Sequence, residues 1–235
     1  MKVVILCGGL GSRLAEETKL IPKPMVKIGN KPILSHIMKI YEDYGFNEFI
    51  LALGYKSHII KRYISDKKTK SKISCIFTGK STLTGGRLLR LKKFFKEDET
   101  FMLTYGDGLS SQNIKKLIKF HYLHKKIATM TAVRPPVRFG EIFIKGKKIV
   151  NFKEKPQTNE GWINGGFFVL NSKIFKFIKN DQTMLEREPL EHLTKKGQLM
   201  AFKHYGFWQC MDTLREKNLL NEIYKNKKQK TPWIK

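Results

Sequence analysis

Along the first 133 residues, short apolar runs alternate with amphipathic helical patterns, and this rhythm leaves few folds open. Val3 to Cys7, Glu48 to Leu53, Ile73 to Phe77, Thr100 to Tyr105 and Ala128 to Val133 read as strands: they are short, apolar and bounded by turn residues. Between them, Pro32 to Tyr44 places Ile33, Leu34, Ile37, Met38, Ile40 and Tyr41 on one helical face, with Pro32 suited to the first turn. Ser57 to Ile64, Gly86 to Phe95 and Ser111 to His124 read as further helices. Strand and helix in alternation are the mark of crossover units, hence of an α/β fold with a Rossmann-like, mainly parallel sheet flanked by helices.

From Arg134 onward the pieces become shorter and lean towards β structure: Glu141 to Ile144, Lys148 to Lys153 and Trp162 to Leu170. They predict a small β-rich extension laid on the first half. Helices near Ser172 to Lys179 and Glu188 to Lys196, a strand near Leu199 to His204 and a last helix from Thr213 complete the pattern. With 235 residues, 41 % of them hydrophobic, the chain can bury one good core, so a single domain over 1–224 is expected. Residues 225–235 are polar and basic and are expected to form a loosely held tail.

Charge is the most conspicuous feature of composition: 46 Lys and Arg against 20 Asp and Glu, a formal +26. Such an excess invites a nucleic-acid-binding reading. Arginine, however, stands at only eight positions, and lysine lacks the planar fork that reads base edges bidentately. The lysines are also scattered rather than gathered into one arm, so a solvated basic surface that concentrates polyanionic substrates is the favoured reading, with no nucleic acid as partner. Cys7, Cys75 and Cys210 are odd in number and show no C-x-x-C spacing, which disfavours a disulfide framework or a zinc site and fits a reducing cytoplasm. The opening apolar stretch is too short for a signal peptide or a membrane span, so no membrane association is expected.

The chemistry concentrates in two stretches near the start. After the first strand come Gly8, Gly9 and Gly11, then Ser12 and Arg13, a bare turn whose N–H groups can approach a bulky anion while Arg13 offers a permanent charge. The stretch has no G-K-[ST] ending and no G-x-G-x-x-G spacing, so it is neither of the two best-known phosphate loops. Ten residues further on, Pro22 and Pro24 clamp Lys23, and the flanking prolines predict an extended segment that delivers one charge to one place.

G-G-x-G-[ST]-R-L followed by P-K-P-M resembles the signature of the sugar-1-phosphate nucleotidyltransferases. The resemblance extends through Lys31-Pro32-Ile33-Leu34, Leu53-Gly54-Tyr55-Lys56, Thr84-Gly85-Gly86-Arg87, Thr104-Tyr105-Gly106-Asp107-Gly108, Glu154-Lys155-Pro156, Gly161 to Phe168 and Gly206 to Thr213, to about residue 222. These stations are similar to those of the branch that joins CTP and α-D-glucose 1-phosphate into CDP-glucose for the deoxysugars of bacterial surface polysaccharides. One departure lies at Ser65 to Ser81, a shorter and more basic segment than that branch carries.

The resemblance implies a nucleotide-binding half over 1–133 and a sugar-binding half over 134–224. It implies that Leu6, Gly8, Gly9, Gly11, Ser12, Arg13, Thr82, Gly85, Arg87 and Gly106 bind the nucleotide, with the glycines of the TGGR stretch lying against the base plane. Lys23, Glu154, Lys155, Trp162, Asn164 and Gly165 would hold the sugar phosphate, and Arg13, Lys23 and Asp107 would be catalytic. Asp107 and Asp212 would bind Mg²⁺, for which hard carboxylate and phosphate oxygens are the fitting ligands. Partners are then CTP, a sugar 1-phosphate and further copies of the chain in a homo-oligomer. Two alternatives remain open on sequence alone: guanylyl transfer to a heptose 1-phosphate, whose enzymes share both opening motifs, and a basic nucleic-acid-binding protein.

Overall fold

The computed structural model describes residues 1–135, 141–153, 161–226 and 228–235. Strand β1 (Val3–Cys7) is buried along its whole length, as its unbroken apolar sequence requires of a strand covered on both faces. Val3, Ile5 and Cys7 enter the core on one side, where the helix α1 (Ile33–Glu42) packs Ile33, Leu34, Ile37 and Met38. Val4 and Leu6 enter the other. β1 pairs in parallel with β2 (Glu48–Leu53), and β2 with β3 (Lys72–Phe77), across α2 (Ser57–Ser65). The helix expected over 86–95 is α3 (Thr84–Leu89) followed by a single 3₁₀ turn at Lys92–Phe94. β4 (Thr100–Tyr105) then pairs with the other side of β1, again in parallel.

Beyond β4 the chain departs from a simple crossover. Gly108–Ser110 is a short strand, β5, and only then does α4 (Ile114–His124) begin, capped by the Asn113 side chain on the Lys116 N–H. β6 (Ala128–Val133) follows; β7 (Glu141–Lys145) and β8 (Lys148–Lys153) make a separate antiparallel hairpin. β9 (Ile163–Asn171) does not belong to that extension as the sequence pattern suggests. It runs antiparallel between β4 and β6 in the main sheet. After α5 (Glu188–Lys195), β10 (Leu199–His204) pairs in parallel with β6. The seven-stranded order is therefore β3-β2-β1-β4-β9-β6-β10, a mixed, mainly parallel sheet. Last come β11 (Trp208–Cys210), paired with β5, and α6 (Leu214–Lys225), opened by a capping box between Thr213 and Glu216.

The order in which strands are added switches sides at β1: β2 lies on one side and β4, reached later, on the other. Open α/β sheets leave a crevice beyond the carboxyl ends of strands at such a switch point. Gly8 to Arg13 leaves β1 there, and Gly106 and Asp107 leave β4 there. The expected loose tail over 225–235 is corrected at its far end: Trp233 is 3 % exposed and belongs to the core cluster on the α1 side.

Towards the β10 edge of the sheet, the Thr129 hydroxyl joins His121 Nδ1 at 2.9 Å and His124 Nε2 at 2.6 Å. His124 Nδ1 accepts the Lys126 N–H, so its Nε2 donates to Thr129, whose own proton goes to a neutral His121. Burial, with His124 alongside, pushes the His121 pKa down to about 4. The folded state therefore resists a proton that the unfolded chain accepts at its ordinary value, so the stability is complete above that value and is lost as pH falls towards 4. Urea unfolding is expected to show a loss of about 2 kcal/mol between pH 7 and pH 4.5 that a His121→Gln variant does not share.

Candidate active site

The loop after β1 turns on Gly11, whose φ of +69° is left-handed, and closes with the Leu14 N–H on the Gly11 carbonyl at 2.9 Å. A Cβ at Gly11 would also stand 2.8 Å from the Thr18 methyl, so the turn is fixed by both dihedral and packing. Lys23 is not in an extended segment. It opens a single 3₁₀ turn, Lys23–Met25, in which Pro24 fits because a first turn has no partner for its N–H. Pro22 remains extended at φ −69°, ψ 147°, and the turn aims the lysine at the end of β4.

The Lys23 ammonium donates to Asp107 Oδ2 at 2.7 Å and to Asp212 Oδ1. Arg13 Nη1 stands 2.6 Å from the other oxygen of Asp212. Burial alone would push the Lys23 pKa down, but the two carboxylates outweigh it and the net shift is upward. Asp212 is held in turn by Glu216, whose Oε2 accepts the Asp212 and Thr213 N–H groups at 2.7 and 2.9 Å. Two carboxylates 105 positions apart in the sequence are thus brought to one ammonium. Among the described residues no third Asp, Glu, His or Cys joins them. A divalent cation would find two hard protein oxygens here and take its remaining ligands from phosphate and water, the coordination Mg²⁺ favours.

A cavity of about 370 Å³ opens beside this cluster. Leu6, Gly8, Gly9, Gly11, Ser12 and Arg13 line it together with Lys23, Gly106 and Asp107. Thr82, Leu83, Thr84, Arg87, Tyr105 and Glu186 complete the lining. Among these the Glu186 carboxylate accepts the Thr84 hydroxyl at 2.6 Å and the Tyr105 hydroxyl at 2.5 Å. Asn164 Nδ2 donates to the same Tyr105 oxygen at 3.1 Å. Burial and the Glu186 charge both raise the Tyr105 pKa, so its hydroxyl stays a donor.

A basic glycine turn, a clamped lysine and paired carboxylates around one crevice suit the handling of a nucleoside triphosphate, and the model of the nucleotidyl transferase family matches residues 2–211. The chain belongs to the nucleotidyl transferase family. Within it, the chain is 46 % identical to the glucose-1-phosphate cytidylyltransferase of Salmonella typhimurium, over 99 % of this chain and 98 % of that one. It is 31 % identical to the D-glycero-alpha-D-manno-heptose 1-phosphate guanylyltransferase of Aneurinibacillus thermoaerophilus, over 88 % and 89 % of the two chains. Among solved structures it is similar to HddC from Yersinia pseudotuberculosis, 30 % identical with a TM-score of 0.77, over 95 % of this chain and 99 % of the other.

The other residues expected at the site by family resemblance make the following contacts in this nucleotidyl transferase. Arg87 lines the cavity, yet its Nη1 and Nη2 are spent on the protein, donating to the Gly8, Leu53, Gly79 and Lys80 carbonyls and the Thr78 hydroxyl. Gly85 is absent from the lining: a Cβ on it would stand 2.8 Å from the Thr183 carbonyl, and one on Gly86 2.3 Å from that of Asp181. Both glycines serve the close approach of α3 to the 180–185 loop. On the sugar side, Asn164 stands behind Tyr105, and Gly165 packs on Val133 while its carbonyl accepts the Trp208 N–H at 2.8 Å. Trp162 lies outside the lining, with Arg134 and Lys203 over its ring at 4.8 and 5.5 Å. Glu154 and Lys155 fall outside the described residues. The lining also takes in Tyr105, Thr84 and Glu186, and Glu186 carries no local signal in the sequence.

Proposed function

We propose that this nucleotidyl transferase joins CTP and a sugar 1-phosphate, with glucose 1-phosphate as the preferred acceptor, to give a CDP-sugar and pyrophosphate. The observation that carries the reading is Lys23 held between Asp107 and Asp212 at the mouth of the Gly8 to Arg13 loop, in one cavity with Thr82 and Arg87. The preference for CTP and glucose rests on the high identity to the cytidylyltransferase over nearly the whole of both chains.

An oxygen of the sugar 1-phosphate attacks the α-phosphorus of CTP in line with the leaving pyrophosphate. The nucleophile is already an anion, so no strong base is required. What remains for the protein is to hold two polyanions together and offset their charge. Arg13, exposed at the mouth, would meet the triphosphate, and the Lys23 ammonium would offset charge on the reacting phosphates. Asp107 and Asp212 would hold Mg²⁺, which supplies a compact positive charge for the phosphate oxygens. By family resemblance Lys155 would take the sugar phosphate and Glu154 the sugar hydroxyls.

Pyrophosphate release measured with CTP, GTP, UTP and dTTP, each against glucose 1-phosphate, mannose 1-phosphate and a heptose 1-phosphate, tests the reading directly. CTP with glucose 1-phosphate is expected to give the highest kcat/KM. A preference for GTP with the heptose phosphate would assign the chain to guanylyl transfer instead. Absence of release in every combination, together with nucleic-acid binding that weakens steeply with salt, would favour the nucleic-acid alternative.

A further inference from the structure

Asp107 and Asp212 stand at one end of the ribbon formed by β5 and β11, in which Ser110 faces Trp208 and Gly108 faces Cys210. The ladder continues up to the carboxylates, for the Met211 N–H donates to the Asp107 carbonyl at 2.9 Å. At the other end the Ser111 N–H donates to the Phe207 carbonyl, also at 2.9 Å. This ribbon is separate from the seven-stranded sheet, and two strands of three residues are not stable alone. Trp208 ties it to Gly165 on the β9 side.

On the α1 side it is held by the segment 231–235. The Trp233 ring packs on Phe207 with centroids 5.4 Å apart, and its N–H donates to His36 Nδ1 at 3.2 Å. His36 in turn bonds through Nε2 to the Ile28 carbonyl at 2.9 Å, so both faces of the anchor are committed. Lys235 closes the segment, its N–H donating to Asp43 Oδ2 at 3.1 Å and its ammonium lying over the Tyr44 ring at 4.7 Å. Between this segment and the ribbon lies a second cavity of about 110 Å³ lined by Ser110, Ser111, Gln112 and Trp233, among others. The Gln112 side-chain nitrogen, buried, has no hydrogen-bond partner among the described residues. The outer end of the ribbon therefore borders a cavity and depends on Trp233 for its packing.

We infer that Trp233 is a positioning residue for the carboxylate pair: docked on His36 and Phe207, it holds the β5/β11 ribbon so that Asp107 and Asp212 face one site. The inference builds on the proposed divalent-cation role of that pair, but its readouts do not require catalysis. In Trp233→Ala, Mn²⁺ binding to the free protein is expected to weaken about tenfold, as when a group supporting metal ligands is removed. The Ser111 and Met211 amides are expected to exchange faster with solvent, while the Arg87 amide on α3 keeps its rate. Trp233→Phe, which keeps a ring on Phe207, should restore most of the Mn²⁺ affinity. If the alanine variant fails to fold, Trp233→Leu reads the same quantities. Unchanged Mn²⁺ affinity, unchanged exchange at Ser111 and Met211, or equal acceleration at Arg87 would each overturn the inference. A wild-type protein that transfers no nucleotide yet responds in this way would refute the proposed function and leave the brace standing.

Discussion

Lys23→Ala is expected to lower turnover by about 10²–10³-fold, which corresponds to about 3–4 kcal/mol of transition-state stabilisation. The size follows from where the ammonium sits. It is largely buried between Asp107 and Asp212, beside a cavity walled by backbone and a few polar groups, so its charge is poorly screened and acts strongly on whatever phosphate replaces the carboxylates. The effect should fall on kcat more than on KM, because Arg13 and the loop N–H groups still hold the triphosphate in the ground state. A second consequence separates this role from simple damage. In the free protein Lys23 competes with any cation for the same two carboxylates, so its removal should tighten Mn²⁺ binding in the absence of nucleotide. Steady-state kinetics and a Mn²⁺ titration check the two halves. Near-normal turnover, or weaker Mn²⁺ binding, would remove Lys23 from this position in the mechanism.

How far the sequence could be read depended on whether the determinant was local. β1 and β2 announce themselves because a strand covered on both faces must be apolar at consecutive positions, β4 and β6 are interrupted only by threonine, and the observed bounds of all four are those read from the sequence. β9 was legible as a strand but not as a member of the main sheet, since nothing in its own residues says that β4 and β6 part to admit it. The same limit explains the glycines. A sequence shows that Gly85 and Gly86 lack a Cβ, not that the backbone at Thr183 and Asp181 lies against them. Glu186 is one acidic residue in a loop, and it becomes part of the cavity wall only through the distant Thr84 and Tyr105. In the last segment, polar and basic composition outweighs one indole, although that indole is what seats the segment.

Gly8 shows how a motif residue can be read correctly as essential and for an incomplete reason. Its bareness was expected to admit a phosphate; in the structure a Cβ there would fall 2.2 Å from the Arg87 guanidinium carbon. A Cβ at Gly54 would meet the same group, 2.6 Å from Nη1. Arg87 is thus a buried strut that draws the ends of β1 and β2 and the 78–80 turn together through five acceptors, and both glycines make room for it. Burial pushes its pKa down, with Arg90 adding to the effect, yet arginine keeps its proton at any working pH. Gly8→Ala cannot be relieved by the far end of a flexible side chain, because the guanidinium is pinned at both Nη atoms. The substitution is expected to destabilise the fold by about 3 kcal/mol, the range in which overpacking and broken buried networks fall. It should also cut kcat/KM by at least about 10²-fold, because the phosphate loop is displaced along with the strut. Arg87→Met, which keeps much of the volume but orphans the five acceptors, should cost similar stability. The double variant Gly8→Ala, Arg87→Met should then lose clearly less than the sum, since the methyl no longer meets a guanidinium. Urea unfolding of the four proteins measures this coupling. Strict additivity would show that Gly8 and Arg87 act independently and that the glycine is required only by the ligand.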